Sequence, residues 1–163
     1  MTKIEEASVK DLEIIHQLAN EIWWPTYKNV VSDDQIAFML DKMYSTTSLK
    51  NQMEEGNVFL LLYVNGKTKG FACFSKTTVD QIYKLQKLYL QPDQQGKGTG
   101  KLLLSSVEEK VKKLGATTLI LNVNRGNKAQ FFYQKVGYQI IEEVNIPYFQ
   151  FVLNDYVMSK TLI

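Results

Sequence analysis

The chain has 163 residues, 45% of them hydrophobic and 22% charged, with a net charge of +2 at pH 7. That suits one domain, residues 1–163, which can bury roughly two-thirds of its unfolded surface, and it excludes a disordered, collagen-like or disulfide-dense chain. Cys73 is the single cysteine and His16 the single histidine, so internal disulfides, thiolate zinc sites and Ser-His or Cys-His catalytic sets are excluded by counting, and no metal site is expected.

The opening "MTKIEEASVKDLEII" carries acids where a secretory leader needs a basic and then an apolar stretch. The longest strongly apolar run, "VFLLLYV", is far short of the ~20 residues that span a bilayer. A cytoplasmic protein without a membrane partner is expected. Ser8 with Asp11 forms a capping-box signal, after which Val9, Leu12, Ile15, Leu18, Ala19 and Ile22 recur at helical spacing; Pro25 is expected to end this helix around Trp23-Trp24. His16 falls among its positions, either solvated or capping a neighbour. Ser32 with Gln35 repeats the capping signal before Ile36, Met39, Leu40 and Met43, and a short helix is expected from Ser48 to Glu55, stopped by Gly56.

The runs "NVFLLLYV" and "TKGFACFSK" read as antiparallel strands joined through Asn65-Gly66, the strongest short-range hairpin signal. Cys73 lies within the second and reads as a buried, inert thiol. A third strand, "IYKLQKLYL", precedes a glycine stretch, a helix from about Gly100 to Leu114 stopped by Gly115, and a strand "TTLILNVN". Strand, helix, strand at this length makes a right-handed crossover with parallel strands. Asn127 reads as the cap of a helix through Val136, ended by Gly137, and "YQIIEEV" and "DYVMSKTLI" as closing strands. The expected fold is a single α/β domain around a mixed, mostly antiparallel sheet with one parallel βαβ crossover.

Charge is unevenly distributed. Residues 84–135 hold ten basic and three acidic side chains (+7), residues 1–83 eight and eleven (−3), and residues 136–163 one and three (−2). A basic middle suits an anionic ligand, and acidic flanks suit a cationic one. Within the middle, "QQGKGTG" places Gly96, Gly98 and Gly100 at alternate positions. Gly96 and Gly100 are one residue too close for a nucleotide P-loop, and Lys101 is followed by Leu102 rather than Ser or Thr; the dinucleotide Gly-x-Gly-x-x-Gly spacing fails as well. What remains is a loop whose missing Cβ atoms expose successive N–H groups at the positive end of a helix, with Lys97 and Lys101 beside it. Its natural guest is a phosphate.

Gln95-Gly96-Lys97-Gly98-Thr99-Gly100 resembles the Gln/Arg-x-x-Gly-x-Gly/Ala signature of the GCN5-related N-acetyltransferases (GNAT), and "NKAQFFYQKVGY" resembles that family's Asn-x-x-Ala-x-x-Phe-Tyr-x-Lys-x-Gly-Phe segment. Two differences stand out: Asn127 is one residue closer to Ala129 than in the usual pattern, and Tyr138 replaces the commoner Phe. The order of elements is similar over nearly the whole chain. The resemblance implies an acyl-CoA N-acyltransferase fold and acetyl-CoA as co-substrate. It implies pyrophosphate on the backbone of Gln95, Gly96, Lys97, Gly98, Thr99, Gly100 and Lys101, and pantetheine along Leu88, Tyr89 and Leu90. Asn124 or Asn127 would contact the pantetheine arm, and Ala129, Phe132 and Lys135 come within the second motif. Tyr133 matches the tyrosine that faces the sulfur, and an unpaired N–H on the strand Leu88–Leu90, where two parallel strands splay, would bind the oxyanion.

Acetyl transfer to an amine needs a neutral nucleophile, a stabilised oxyanion and a protonated or hydrogen-bonded thiolate. For a proton acceptor, Glu21, Asp33, Asp34 and Asp80 are candidates among many acids, and none is singled out. Phe131, Phe132 and Tyr133 are consecutive on a helix, ~100° apart, so they cannot all face the core. Trp23, Trp24 and Tyr27 mark the region that lines the acceptor site in the resembling fold, and an aromatic floor near acids suits a cationic amine. "EIWWPTY", "DDQIAFMLDKMYS" and "DYVMSK" further resemble a branch that includes bacterial spermidine/spermine acetyltransferases. The partner expected is a small-molecule amine, with a polyamine first; a protein N-terminus or lysine, and a CoA-binding module without turnover, stay open. No nucleic-acid motif accompanies the basic segment, and edge strands in such a sheet are compatible with a homodimer.

Overall fold

The computed structural model describes residues 1–163. The chain opens with β1 (Thr2–Glu6), antiparallel to β2 (Val58–Val64). Only Ile4 of β1 is even partly buried, so no alternation announces the strand, and sequence reading passes over it. The Ser8/Asp11 capping box forms as expected.

Helix α1 (Leu12–Tyr27) corrects the expectation that Pro25 ends it at Trp23-Trp24. Proline removes one N–H, that which Glu21 O would accept, but the last turn is held by Thr26 Oγ1 donating to Ile22 O (2.7 Å) and Lys28 N–H donating to Trp24 O (3.0 Å). Burial of Trp23 and Tyr27, four residues apart on one face, offsets the lost bond. Helix α2 (Asp33–Tyr44) starts at the Ser32 cap, whose Oγ accepts from Gln35 N–H at 3.1 Å. Helix α3 (Thr46–Glu54) starts two residues before the expected Ser48, because Ser45 Oγ, accepting from Ser48 N–H, is the cap.

Strands β2 and β3 (Lys67–Lys76) form the expected hairpin, with Asn65 and Gly66 both at positive φ (51° and 81°), as a type I′ turn requires. Then follow β4 (Ile82–Leu90), α4 (Thr99–Lys113), β5 (Thr118–Asn124), parallel to β4, and α5 (Ala129–Lys135). Asn127 is not the cap residue of α5: Lys128 holds that position, and the Asn127 Oδ1 instead accepts from Ala129 N–H at 2.9 Å in a turn of its own. The closing strands are longer than their periodicity indicates. β6 (Gln139–Tyr148) and β7 (Phe151–Thr161) form a hairpin that runs through Pro147, tolerated because β6 is an edge strand.

The strand order is β1-β2-β3-β4-β5-β7-β6, antiparallel except for β4 against β5, in line with the expected fold class. Helices α1–α3 cover one face through Ile15, Ile22, Trp23, Ile36, Leu40 and Leu49 on Phe59, Leu61, Phe71 and Cys73. Helices α4 and α5 cover the other through Leu103, Leu104, Val107, Val111 and Tyr133 on Leu60, Ala72, Leu85, Leu119, Leu121 and Met158. No helix is long and apolar enough to cross a membrane.

Candidate active site

The one parallel pairing is short. β4 and β5 are in register only from Ile82 opposite Thr118 to Leu85 opposite Leu121. At that point Gln86 is an extra residue against β3, since Cys73 faces Lys87 and Phe74 faces Leu85. Such a bulge bends the strand that carries it, and beyond it β4 leaves β5. From Gln86 to Leu90, β4 pairs with β3 alone, while β5 stays with β7. Gln91 N–H donates to Lys69 O on the β3 side (2.8 Å), so by strand alternation the N–H groups of Leu88 and Leu90 face the gap.

The glycine stretch opens at the C-terminal end of β4. Gly96 and Gly98 hold φ of 78° and 81°, where an L side chain is strained. Gly100 serves a different need: a Cβ there would lie 2.9 Å from Leu90 Cδ1 and 3.7 Å from the Phe132 ring. Thr99 Oγ1 donates to Gln94 O (3.2 Å) and ties the loop. The amides of Gly96, Gly98, Thr99, Gly100 and Lys101 have no acceptor within the chain. Lys97 is exposed, and Lys101 is exposed at the first turn of α4. A cradle of free N–H groups at a helix start, with two lysines, fits a pyrophosphate.

On the α5 side of the gap stands Tyr133, buried at 6% exposure and packed on Phe132 (5.3 Å) and Tyr138 (5.8 Å), while Phe131 points to solvent. The Tyr133 hydroxyl makes no hydrogen bond within the protein, and burial pushes its pKa well above that of an ordinary tyrosine. Ala129 and Phe132 are partly buried, and Lys135 is exposed in the last turn of α5. Asn124 Oδ1 accepts from Gly126 N–H (2.8 Å) and Asn127 Oδ1 from Ala129 N–H, so each carboxamide keeps its NH₂ for another partner.

On the α1 side, Tyr27 and Tyr89 join hydroxyls at 2.8 Å, and Trp23 packs on both rings (4.5 and 5.7 Å). Burial raises the pKa of both tyrosines, so both stay neutral. Trp24 faces elsewhere: with His16, Asn20, Leu40 and Asp41 it lines a depression of about 240 Å³ between α1 and α2. His16 caps a neighbour, its Nδ1 2.7 Å from Tyr44 O. The tip of the β6–β7 hairpin folds onto α2, with Phe149 and Phe151 at 5.1 and 5.4 Å from Phe38, and Val30 of the α1–α2 loop is packed close to Gly126. These two contacts bound the gap on the helical side.

The candidate acids named from sequence scatter. Glu21 accepts from Gln17 and Gln91, Asp33 lies 4.0 Å from Lys28, Asp34 is exposed, and Asp80 lies in the turn before β4, at the end opposite the gap. Sequence reading missed Asp155 of β7, which faces Asn124 across the strand pair, and Lys84 of β4. Asp155 opens the segment "DYVMSK" without being marked by it, Lys84 lies in an ordinary strand, and only strand register brings them to the gap. Cys73 is fully buried and its thiol is pushed up to about 12 by burial.

Residues 27–146 match the family model described as an acetyltransferase (GNAT) domain. The chain is 30% identical over 144 residues to spermidine N(1)-acetyltransferase of Thermoplasma acidophilum, which covers 85% of this chain and 88% of that protein. It is 35% identical over 99 residues to the [ribosomal protein bS18]-alanine N-acetyltransferase of Haemophilus influenzae, over 61% of this chain and 66% of that one. The crystal structure of the PaiA N-acetyltransferase from Thermoplasma acidophilum in complex with coenzyme A superposes with a TM-score of 0.85 at 28% identity, over 99% of both chains.

Proposed function

The chain belongs to the GNAT acetyltransferase family, and we propose that it moves an acetyl group from acetyl-CoA to a primary amine of a small molecule, a polyamine first, by direct attack on the thioester. The observation that carries this reading is the set of unpartnered amides of Gly96, Gly98, Thr99, Gly100 and Lys101 opening beside the unpaired edge of β4.

Acetyl-CoA supplies the activated thioester carbonyl. In this reading its pyrophosphate sits on the amides of the glycine stretch, with Gln95, Lys97 and Lys101 around it, and its pantetheine replaces β5 as the partner of Leu88, Tyr89 and Leu90. Asn124 or Asn127 gives an NH₂ donor to the arm, Ala129 and Phe132 give it an apolar wall, and Lys135 adds charge nearby. The N–H of Leu88 or Leu90 meets the developing oxyanion, held by the sheet and needing no reorganisation. The Tyr133 hydroxyl, free of protein partners, donates to the departing sulfur. Trp23 fixes the paired hydroxyls of Tyr27 and Tyr89 at the acceptor end.

An alkylamine has a pKa of ~10.4, so only about one molecule in a thousand is neutral at pH 7.4, a shortfall of ~4 kcal/mol that a proton acceptor must offset. A slender amine suits a gap bounded by the α1–α2 loop and by the hairpin tip on α2. The free edge of β6, with Ile141 exposed, is the face we assign to a second copy in a homodimer. The test is release of CoA thiol from acetyl-CoA with spermidine, spermine, a panel of small amines and an alanine-starting peptide, with the acetylated product identified by mass. Turnover on the amines supports the reading. Turnover on the peptide alone replaces the acceptor, and CoA binding without turnover on any of them replaces the enzyme with a binding module.

A further inference from the structure

Past Leu121, β5 and β7 remain paired while β4 is gone, with Asn122 opposite Val157 and Asn124 opposite Asp155. Cross-strand partners share a face of the sheet, so Asn124 and Asp155 project together on the α1–α3 side, the side that carries Trp23, Tyr27 and Tyr89. Lys84, opposite Ile120 in the last stretch of parallel pairing, lies on that same face.

Asp155 is partly buried there with little to hold it. One carboxylate oxygen accepts from Asn122 Nδ2 at 3.4 Å, the other has no donor, and no cation lies within ion-pair distance of either. Arg125 is close in the chain but engaged elsewhere: it donates to the backbone oxygens of Asp155 and Val144, to Asn145 Oδ1 and to Glu143. A carboxylate removed from water without a matching donor gains from a proton or from a cation brought to it. Burial raises its pKa and lowers that of Lys84, so the environment favours the neutral form of both.

We propose that Asp155 is the residue that receives the acceptor's ammonium and removes its proton, with Asn122 positioning the carboxylate. This rests on the reading of the site as an amine acetyltransferase. Asp155 takes one proton from the ammonium; the freed lone pair forms the N–C bond, the C–S bond breaks, and Asp155 takes the second proton of the new amide nitrogen. Both pass to solvent, one after the other, and the thiolate, held by a hydrogen bond from Tyr133, takes one proton back from solvent. One proton is released in all. The charged and titratable groups around the carboxylate are Lys84 on β4, Glu142 on β6, Tyr27 on α1 and Arg125 after β5.

The experiment compares wild type, D155N and D155E for kcat/KM towards a spermidine-like amine between pH 6.5 and 10, and towards an amine of low basicity that is already neutral at pH 7. CoA binding by calorimetry checks that each variant is folded, with D155S in place of any that is not. The expected loss in D155N is about a hundredfold or more at pH 7, shrinking as the pH approaches the amine's own pKa, small for the low-basicity amine, and partly restored in D155E. A loss that is the same at every pH and for both amines, equal losses in D155N and D155E, or no loss, overturns the assignment. Failure of wild type to acetylate any amine would instead overturn the reading beneath it.

Discussion

Replacing Tyr133 by Phe separates chemistry from folding, because the hydroxyl has no hydrogen-bond partner inside the protein. The phenyl ring keeps its contacts with Phe132 and Tyr138, so stability should stay within ~0.5 kcal/mol of wild type. Catalysis should not. A hydrogen bond to a charged group is worth ~1.5–3 kcal/mol, which converts to about 10- to 150-fold in rate. Full proton transfer is a weaker account: an ordinary tyrosine, at ~10, already lies above a thiol, at ~8.5, and burial lifts Tyr133 further. Being raised, the hydroxyl stays protonated across any practical assay range, so it should contribute no basic limb, and the pH profile of Y133F should keep the wild-type shape at a lower level. The assay is the single-turnover rate of thiol release at saturating donor and amine, beside the melting temperature and the CoA dissociation constant. A rate within twofold of wild type would refute the leaving-group role. So would a loss matched by weakened folding or CoA binding.

Gly98→Ala should cost about 1–2 kcal/mol of stability from its φ of 81° and weaken CoA binding in a titration, since the new methyl projects into open space at the loop mouth; unchanged binding would remove the loop from the donor site. Gly70→Ala should be more damaging to the fold, because its Cβ would fall 2.6 Å from the Tyr89 carbonyl oxygen and must push β3 off β4; thermal unfolding should register a loss of about 1–3 kcal/mol. Cys73, buried and with its thiol pushed up to about 12, should stay inert to a thiol-reactive dye at pH 8 until denaturant is added, so that colour from CoA release carries no background from the protein. Tyr27, Tyr44, Tyr89 and Tyr133 all have raised pKa values through burial. Their contribution to stability is therefore full below the unfolded value of ~10 and lost as the pH climbs through the folded values, and the share of phenolate absorbance that these four supply should appear only with unfolding, above pH 10.

Local signals were legible where the physics is local. Asn65-Gly66 requires two positive φ values and marks its hairpin; Ser8 and Ser32 mark helix starts; the alternate glycines mark the loop, two by their left-handed conformation and one by close packing. What escaped is set by partners distant in the chain. β1 lacks an apolar face, and only β2 makes it a strand. Pro25 reads as a stop, and only the burial of Trp23 and Tyr27 carries the helix past it. Nothing in "IYKLQKLYL" distinguishes Gln86 as a bulge, because the extra residue is defined by the register of β3. Asp155 opens the segment "DYVMSK", but nothing in that segment marks its carboxylate as facing the gap; only the pairing of β7 with β5 brings it there.

The two ends of the sheet are covered unequally, and this bears on motion. β2 and β3 are sealed by helices on both faces, whereas the α1–α3 face of β5–β7 stays partly exposed, and β6 is exposed along most of its length. Amide protons should accordingly exchange more slowly in the first half and open sub-globally in the second. The glycine loop is anchored to the slow half through β4; Asn122 and Asp155 ride on the fast one. On the proposed reading, the nucleotide end of the donor would be held by a stiff frame, while the carboxylate of Asp155 would sit on a compliant one that can adjust to amines of different shape.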